Sequence, residues 1–487
     1  MRTLRSAAAR LAAAGGLADL VPIIAELGFP AAPVPLDAAA RDALGLPAEV
    51  CDAAVAAGPG ALRALLLELD PPAPLRETLG RIAGRLASRL PHVLWLLVAA
   101  PRDGTHVGVA TWSAAERRPP RVAVLIADRA HIVDSDAETL LALAAAANDA
   151  SDILTHARWV EVLGRDALSR RFYRELERRV GALADSATCA TPTRVSPADR
   201  AEIALLYTSR LLFLAFLQAK GWLDGDRAFL ERQFDACMAA GGSYHRRVLR
   251  PLFFGTLNTP PAARASVARA LGRVPFLNGG LFAPTPLEGR TRGLLFDDES
   301  LGALFAELLS RYRFTAREDR GTWSEAAIDP EMLGRAFESL MAGRARRDSG
   351  AFFTPQRLVE HLTERALAQA LGDTGSPSLA ELDQVTVLDP ACGSGAFLVY
   401  ALERLAELRR LAGDARPTSD VRCDLLTHAI FGVDRNPTAV WLCELRLWLS
   451  VVIEREEADP LRVPTLPNLD RNVRVGDSLA GDGFDAV

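Results

Sequence analysis

Asp389-Pro390-Ala391-Cys392-Gly393-Ser394-Gly395 is the stretch from which the rest of the chain is best read. It follows a short β-branched run at residues 385–388 and opens an amphipathic segment reaching to about residue 411. That order is strand, turn, helix. Gly393 and Gly395 permit a tight turn and let a ligand lie against bare backbone. In sheets of parallel strands, ligands bind at the carboxyl ends of the strands. Asp389 places a carboxylate there. A nucleotide pyrophosphate would be repelled by that charge, whereas a ligand carrying an ammonium group would be attracted.

The same unit recurs downstream. Residues 429–433 read as a second strand ending in Gly432-Val433-Asp434-Arg435-Asn436-Pro437, with a helix from 437 to about 454. Residues 472–475 read as a third strand, followed by Gly476-Asp477-Ser478-Leu479, and residues 484–487 begin a fourth. Strands alternating with helices predict an α/β fold with a parallel, doubly wound sheet. An acid at position 434 can accept both hydroxyls of a ribose, although alone it reads equally well as a helix N-cap before Pro437. A carboxylate at Asp477 can accept the exocyclic amine of an adenine. Three acids after three successive strands suit an adenosine with a cationic tail, which describes S-adenosylmethionine. Asp389 and Asp434 are 45 residues apart, against the ~20 of a minimal dinucleotide-binding unit. The excess is assigned to a surface insertion at residues 413–423.

These motifs together resemble the adenine-specific (N6) DNA methyltransferases of type IIG-like restriction–modification and BREX phage-exclusion systems. Gly350-Ala351-Phe352-Phe353-Thr354-Pro355 is similar to the family's G-x-F/Y-F/Y-T-P segment, and residues 389–395 reproduce its D-P-A-C-G-S-G loop. Asp434 stands where the family has its ribose acid. Leu466-Pro467-Asn468-Leu469-Asp470 with Gly476-Asp477-Ser478-Leu479 resembles the segment leading to the adenine contact. The resemblance implies S-adenosyl-L-methionine as cofactor, held by Phe353, Thr354, Pro355, Asp389, Pro390, Ala391, Cys392, Gly393, Gly395, Asp434, Asn436, Asp477 and Ser478. It also implies double-stranded DNA with a flipped adenine as substrate. Residues 210–223, Phe276-Leu277-Asn278-Gly279-Gly280-Leu281-Phe282 and residues 329–334 extend the likeness, less specifically, to about residues 200–487.

The family's catalytic motif, N/D-P-P-Y/F/W after the fourth strand, is expected beyond Val487, so no catalytic residue is assigned. Asp70-Pro71-Pro72-Ala73 lacks the aromatic, and Asn258-Thr259-Pro260-Pro261 is interrupted by Thr259. The sheet is therefore expected as a first half only. The chain alone is expected to transfer no methyl group, and a second polypeptide carrying the missing motif and a target-recognition domain is an expected partner. A non-catalytic, cofactor-binding subunit is the alternative, and a methyltransferase acting on protein or RNA is a further one.

Upstream, the length of 487 residues suits about three domains at roughly 150 residues each. Residues 1–190 read as a mixed α/β domain, with strands at 93–100, 106–112 and 121–127 and the first of these central. Residues 196–345 read as a helical connector whose long apolar helix, 201–217, ends at Gly221. Asp329-Pro330 starts another helix, with Leu333, Phe337, Leu340 and Met341 as its buried stripe. Residues 346–487 form the cofactor-binding domain. Hydrophobic residues make up 49% and charged ones 24%, a globular balance. The net charge of −5 shows no overall basic excess, so any DNA-gripping surface is local or lies elsewhere. Lys220 is the sole lysine, and the wealth of alanine and arginine reads as genome composition. The six cysteines have no metal-ligand spacing; no disulfide and no metal are expected, which fits a reducing cytoplasm. The residues 1–16 read as an ordinary helix, and the apolar runs 93–100 and 211–217 fall short of the ~20 residues of a membrane span. An N-terminal nuclease would need acids on adjacent strands plus a lysine. Lys220 sits in the long helix, and Asp103 and Asp128 lie near strands without one.

Overall fold

The computed structural model describes residues 3–71, 74–102, 104–113, 120–147, 151–189, 195–277, 280–291, 293–315, 323–329, 332–336, 354–372, 377–455 and 457–480. The chain forms two compact units. The first comprises Met1–Arg174 with Ser310–Arg313 and Glu318–Ile328; the second comprises Glu175–Leu309, Phe314–Arg317 and Asp329–Val487.

The first unit is built on a seven-stranded mixed sheet ordered β1 to β7. Its strands are Val34–Pro35, Val50–Ala57, Leu62–Leu69, Leu94–Pro101, His106–Trp112, Val122–Asp128 and Trp323–Glu325. β4 is central, as its unbroken apolar run predicts, and pairs parallel with β3 and antiparallel with β5. β1–β2–β3 is an antiparallel meander. Helix α1, Leu75–Arg89, then makes the crossover from β3 to β4. Both faces of the sheet are covered. Leu65, Leu67, Leu97 and Trp112 pack with Leu79, Ile82 and Leu86 of α1. Leu66, Val98, Val109 and Leu125 pack on the opposite side with Ile23, Ile24, Leu140 and Trp159. The first residues do form a helix, Leu4–Ala13, capped by Thr3, with Ala7 and Leu11 buried. Within this unit Arg76 of α1 pairs with Glu325 of β7 at 2.8 Å, both buried.

The second unit contains helix α2, Pro197–Ala219, started by a capping box between Ser196 and Asp199. Gly221 follows its C-cap at φ +75°. At 23 residues α2 is longer than its apolar run and is long and apolar enough to cross a membrane. Here it is instead buried in the core of the unit. Its Arg210 is wholly buried and is paid for by Glu288 at 2.7 Å, the carbonyls of Leu281 and Ala283, and the faces of Tyr207 and Phe253. Two π-helical segments follow, His245–Leu249 and Pro251–Leu257.

The parallel sheet belongs to this unit. β8 (Val387–Asp389), β9 (Ile430–Asp434) and β10 (Val473–Val475) lie parallel in the order β10-β9-β8. The helices α3 (Gln356–Leu371), α4 (Ala396–Leu411), α5 (Thr418–His428) and α6 (Pro437–Glu454) precede or connect them. The chain is thus mixed α/β, as its alternating pattern requires. The fourth strand expected at residues 484–487 lies outside the described residues, as do Phe337, Leu340 and Met341. One expectation is corrected: residues 413–423 are not a mere surface insertion. Their second half enters α5, which buries Val421, Arg422, Leu425 and Leu426, and Arg422 donates to the Ser450 carbonyl of α6 at 2.5 Å. The extra length is a helix that packs.

Candidate cofactor site

The carboxyl ends of β8, β9 and β10 meet at one place. Asp389 is the last residue of β8 and Asp434 the last of β9; the register pairs Asp389 with Gly432 and Asp434 with Val475. The turn after β8 folds across the end of β9. The Cys392 amide donates to the Val433 carbonyl at 3.0 Å, and the Gly393 amide donates to the Asp434 carboxylate at 2.9 Å. Gly393 (φ +53°) and Gly395 (φ +84°) both take the left-handed conformation. At Gly395 there is no room for more: a Cβ would lie 2.5 Å from the Cys443 Sγ. At Gly393 a Cβ would meet nothing within 4 Å, so that glycine answers a backbone requirement and faces open space.

Asp434 organises the site. Its second carboxylate oxygen accepts from the Asn436 amide at 2.8 Å, and its carbonyl accepts from Gly476 at 3.0 Å. Asn436, rather than Asp434, caps α6, accepting from the Thr438 amide at 3.0 Å. A carboxylate offers about four acceptor sites, so each oxygen of Asp434 keeps one for a hydroxyl. The Asp477 carboxylate lies 3.5 Å from the Arg435 guanidinium and accepts from the Leu479 amide at 3.0 Å. Ser478 is half-buried beside it, and Pro390 and Ala391 are exposed.

The electrostatics favour a cation. Burial pushes the Asp389 carboxyl above its ordinary range; the Ala391 amide opposes this, and the nearby Asp434 charge raises it further. A positive ligand group between these acids would relieve that repulsion. Thr354 is half-buried and Pro355 exposed, at the start of α3, while Phe353 lies outside the described residues. Helix α3 reaches α4 through Glu364, which accepts from Tyr400 and pairs with Arg404, each at 2.9 Å.

Sequence reading missed the support beneath the turn. Arg446 of α6 donates to the Ser394 carbonyl at 3.0 Å and is buried. Its guanidinium in turn abuts Gly334, where a Cβ would lie 2.8 Å away, in the helix capped by Asp329. Cys443 is wholly buried against Cys392; their thiol–thiol hydrogen bond, with burial, raises the Cys443 thiol well above its usual range. Burial, helped by Asp470, pushes the Glu444 carboxyl up to about 8. The available signal was three polar residues inside the otherwise apolar run 440–452.

Other candidates fall elsewhere. Asp70 follows β3 of the seven-stranded sheet and Asn258 ends a π-helical segment, so neither stands on the parallel sheet. Lys220 is the C-cap of α2 and donates to the Val452 carbonyl of α6 at 2.8 Å. Among the described residues, no group of three or more His, Cys, Asp or Glu is placed to hold a metal ion.

Residues 328–468 match the family model described as N-6 DNA Methylase, a span containing the turn, Asp389 and Asp434. A protein of Methanocaldococcus jannaschii described as a type II restriction enzyme and methyltransferase is 29% identical over 338 residues, 60% of this chain and 28% of that one. Adenine-specific methyltransferase PglX of Streptomyces coelicolor is 29% identical over 158 residues, 31% of this chain and 12% of the relative. The type II restriction enzyme and methyltransferase RM.Eco57I of Escherichia coli is 22% identical over 195 residues, 34% of this chain and 19% of that one. Among solved structures, the type IIL restriction–modification enzyme MmeI in complex with DNA superposes with a TM-score of 0.42 at 21% identity, covering 65% of this chain and 41% of that one. The resemblance carried by the motifs is thus borne out: the chain is related to adenine-specific methyltransferases of restriction–modification systems and to PglX. It spans 28% of the length of the M. jannaschii relative.

Proposed function

We propose that residues 346–487 bind S-adenosylmethionine in a Rossmann-like arrangement. We propose further that this site serves site-specific adenine-N6 methylation of double-stranded DNA in a restriction–modification or phage-defence system. The observation that carries the reading is the convergence of Asp389, Asp434 and Asp477 on adjacent parallel strand ends around a turn with two left-handed glycines. The donor set fits the cofactor. Asp389 faces the ammonium of the methionine part, the free acceptor sites of Asp434 take the ribose hydroxyls, and Asp477 takes the adenine amine. When bound, the cofactor supplies a methyl group on a sulfonium that any nucleophile held in line can attack. The chain's own contribution is to hold that cofactor rigidly; Arg446, Cys392 and Cys443 keep the turn in place from below.

Isothermal calorimetry with S-adenosylmethionine tests this. Asp434→Ala removes charge-assisted hydrogen bonds worth roughly 1.5–3 kcal/mol, so affinity should fall about ten- to a hundredfold. Unchanged binding in that variant would refute the assignment.

A further inference from the structure

The chain's acidic residues are unevenly spread. Between Asp235 and Glu288 lie 52 residues with six arginines (246, 247, 250, 264, 269 and 273) and no acid at all. An even spread of the chain's 61 acids would put about six there. Genome composition can enrich arginine throughout; it does not strip acids from one segment. The stretch carries +6 in a chain whose remainder carries −11.

The fold sorts these arginines by task. Arg264 is buried and serves the carbonyls of Thr259, Thr256 and Val274. Arg273 pairs with Asp459 at 2.6 Å. The other four are exposed, and among the described residues none has a carboxylate within salt-bridge reach. Arg247 is steadied by the Ala240 carbonyl at 2.7 Å, and Arg250 lies over the Phe254 ring. Arg246 and Arg250 are four residues apart on one helix and so share a face. Arg269 ends the short helix Ser266–Arg269, whose Ala268 abuts Gly255 of the second π-helical segment, Pro251–Leu257. The apolar residues Val248, Leu249, Leu252 and Phe253 of the two π-helical segments are buried in the core. Elsewhere in the unit, Arg409, Arg416 and Arg422 are paired with carboxylates.

We propose that Arg246, Arg247, Arg250 and Arg269 form a docking surface for the phosphate backbone of double-stranded DNA. The inference rests on the reading of DNA as substrate and places part of its grip on the helical segment rather than on the cofactor domain. Exposed guanidiniums without a carboxylate partner suit phosphates, which they can bind bidentately. A single-strand platform would interleave exposed aromatics; here Phe253 is buried and Phe254 half-buried under Arg250. A membrane-surface helix would expose an apolar face beside its cations, and this one buries it.

The test is fluorescence anisotropy of a labelled mixed-sequence duplex with the 487-residue chain over a range of sodium chloride. Each phosphate contact contributes about 0.9 to the slope of log K against log salt. R246Q/R250Q/R269Q should therefore reduce that slope by about 2.7. R5Q/R85Q/R410Q, removing the same charge from exposed sites elsewhere, should leave it unchanged. Equal slopes in native and patch variants would overturn the proposal. So would native chain that binds no duplex, or that binds phosphatidylserine vesicles in its place. Calorimetry with S-adenosylmethionine on the same samples reports separately on folding and on the cofactor reading.

Discussion

Glu444 offers the sharpest physical check on the second unit. It sits on α6, is 6% exposed, and its carboxyl is pushed up to about 8 from an ordinary 4.5 by burial, with Asp470 adding repulsion. Gly280 packs against both acids: a Cβ there would lie 3.3 Å from the Asp470 carboxylate and 3.7 Å from that of Glu444. A folded pKa raised above the unfolded one contributes stability that is intact below 4.5 and is lost as pH rises towards 8. At 1.36 kcal/mol per pH unit the full interval is worth about 5 kcal/mol. Glu444→Gln fixes the group in a neutral form. Relative to native chain, the variant should gain roughly 4 kcal/mol between pH 5 and pH 9, most of it before pH 8. Any packing defect of the glutamine adds an offset that does not vary with pH. Thermal unfolding followed by tryptophan fluorescence, at intervals from pH 5 to 9, reads the difference. A gap between native and variant that stays constant across that range would refute the argument.

Two further outcomes follow from the site. Gly395→Ala forces a Cβ against Cys443 and strains a φ of +84°, so S-adenosylmethionine binding by calorimetry should fall at least tenfold, with partial recovery on adding Cys443→Ala; full binding by the single variant would show the turn to be slack. Asp389 is held above the ordinary carboxylate range by burial and by Asp434, so cofactor affinity should decline as pH falls below neutrality, starting above the usual carboxylate pKa of about 3.9, and Asp389→Asn should bind weakly with that decline removed; a native affinity flat down to pH 4 would contradict the electrostatic reading.

Much of the parallel-sheet region was legible because its signals are local. The short β-branched runs, the Gly-rich turn and Pro437 mark strand ends and helix starts within a residue or two of where they occur. β2 and β3 were not legible, for a physical reason. Val50–Ala57 and Leu62–Leu69 are alanine- and leucine-rich, which favours helix locally. Only pairing with each other and with β4 makes them strands. The acids of the candidate site stood out because Asp389 and Asp434 end strands and Asp477 follows one by two residues. Arg446 did not, because its partner Ser394 is 52 residues away and nothing in the sequence of α6 names it. Asp434 was read as a ligand acid or a helix cap; the structure gives the capping to Asn436 and leaves Asp434 to hold the turn.

The solitary lysine has a practical consequence. With one ε-amine in 487 residues, acylating reagents and lysine-specific proteases have a single internal address. That address is the joint at which α2 ends, where the Lys220 amine is bonded to the last turn of α6 and lies over the Trp222 ring. Cleavage there would part the chain into residues 1–220 and 221–487. Its rate therefore becomes a clock for the loosening of α2 from α6, readable by mass on an unlabelled protein.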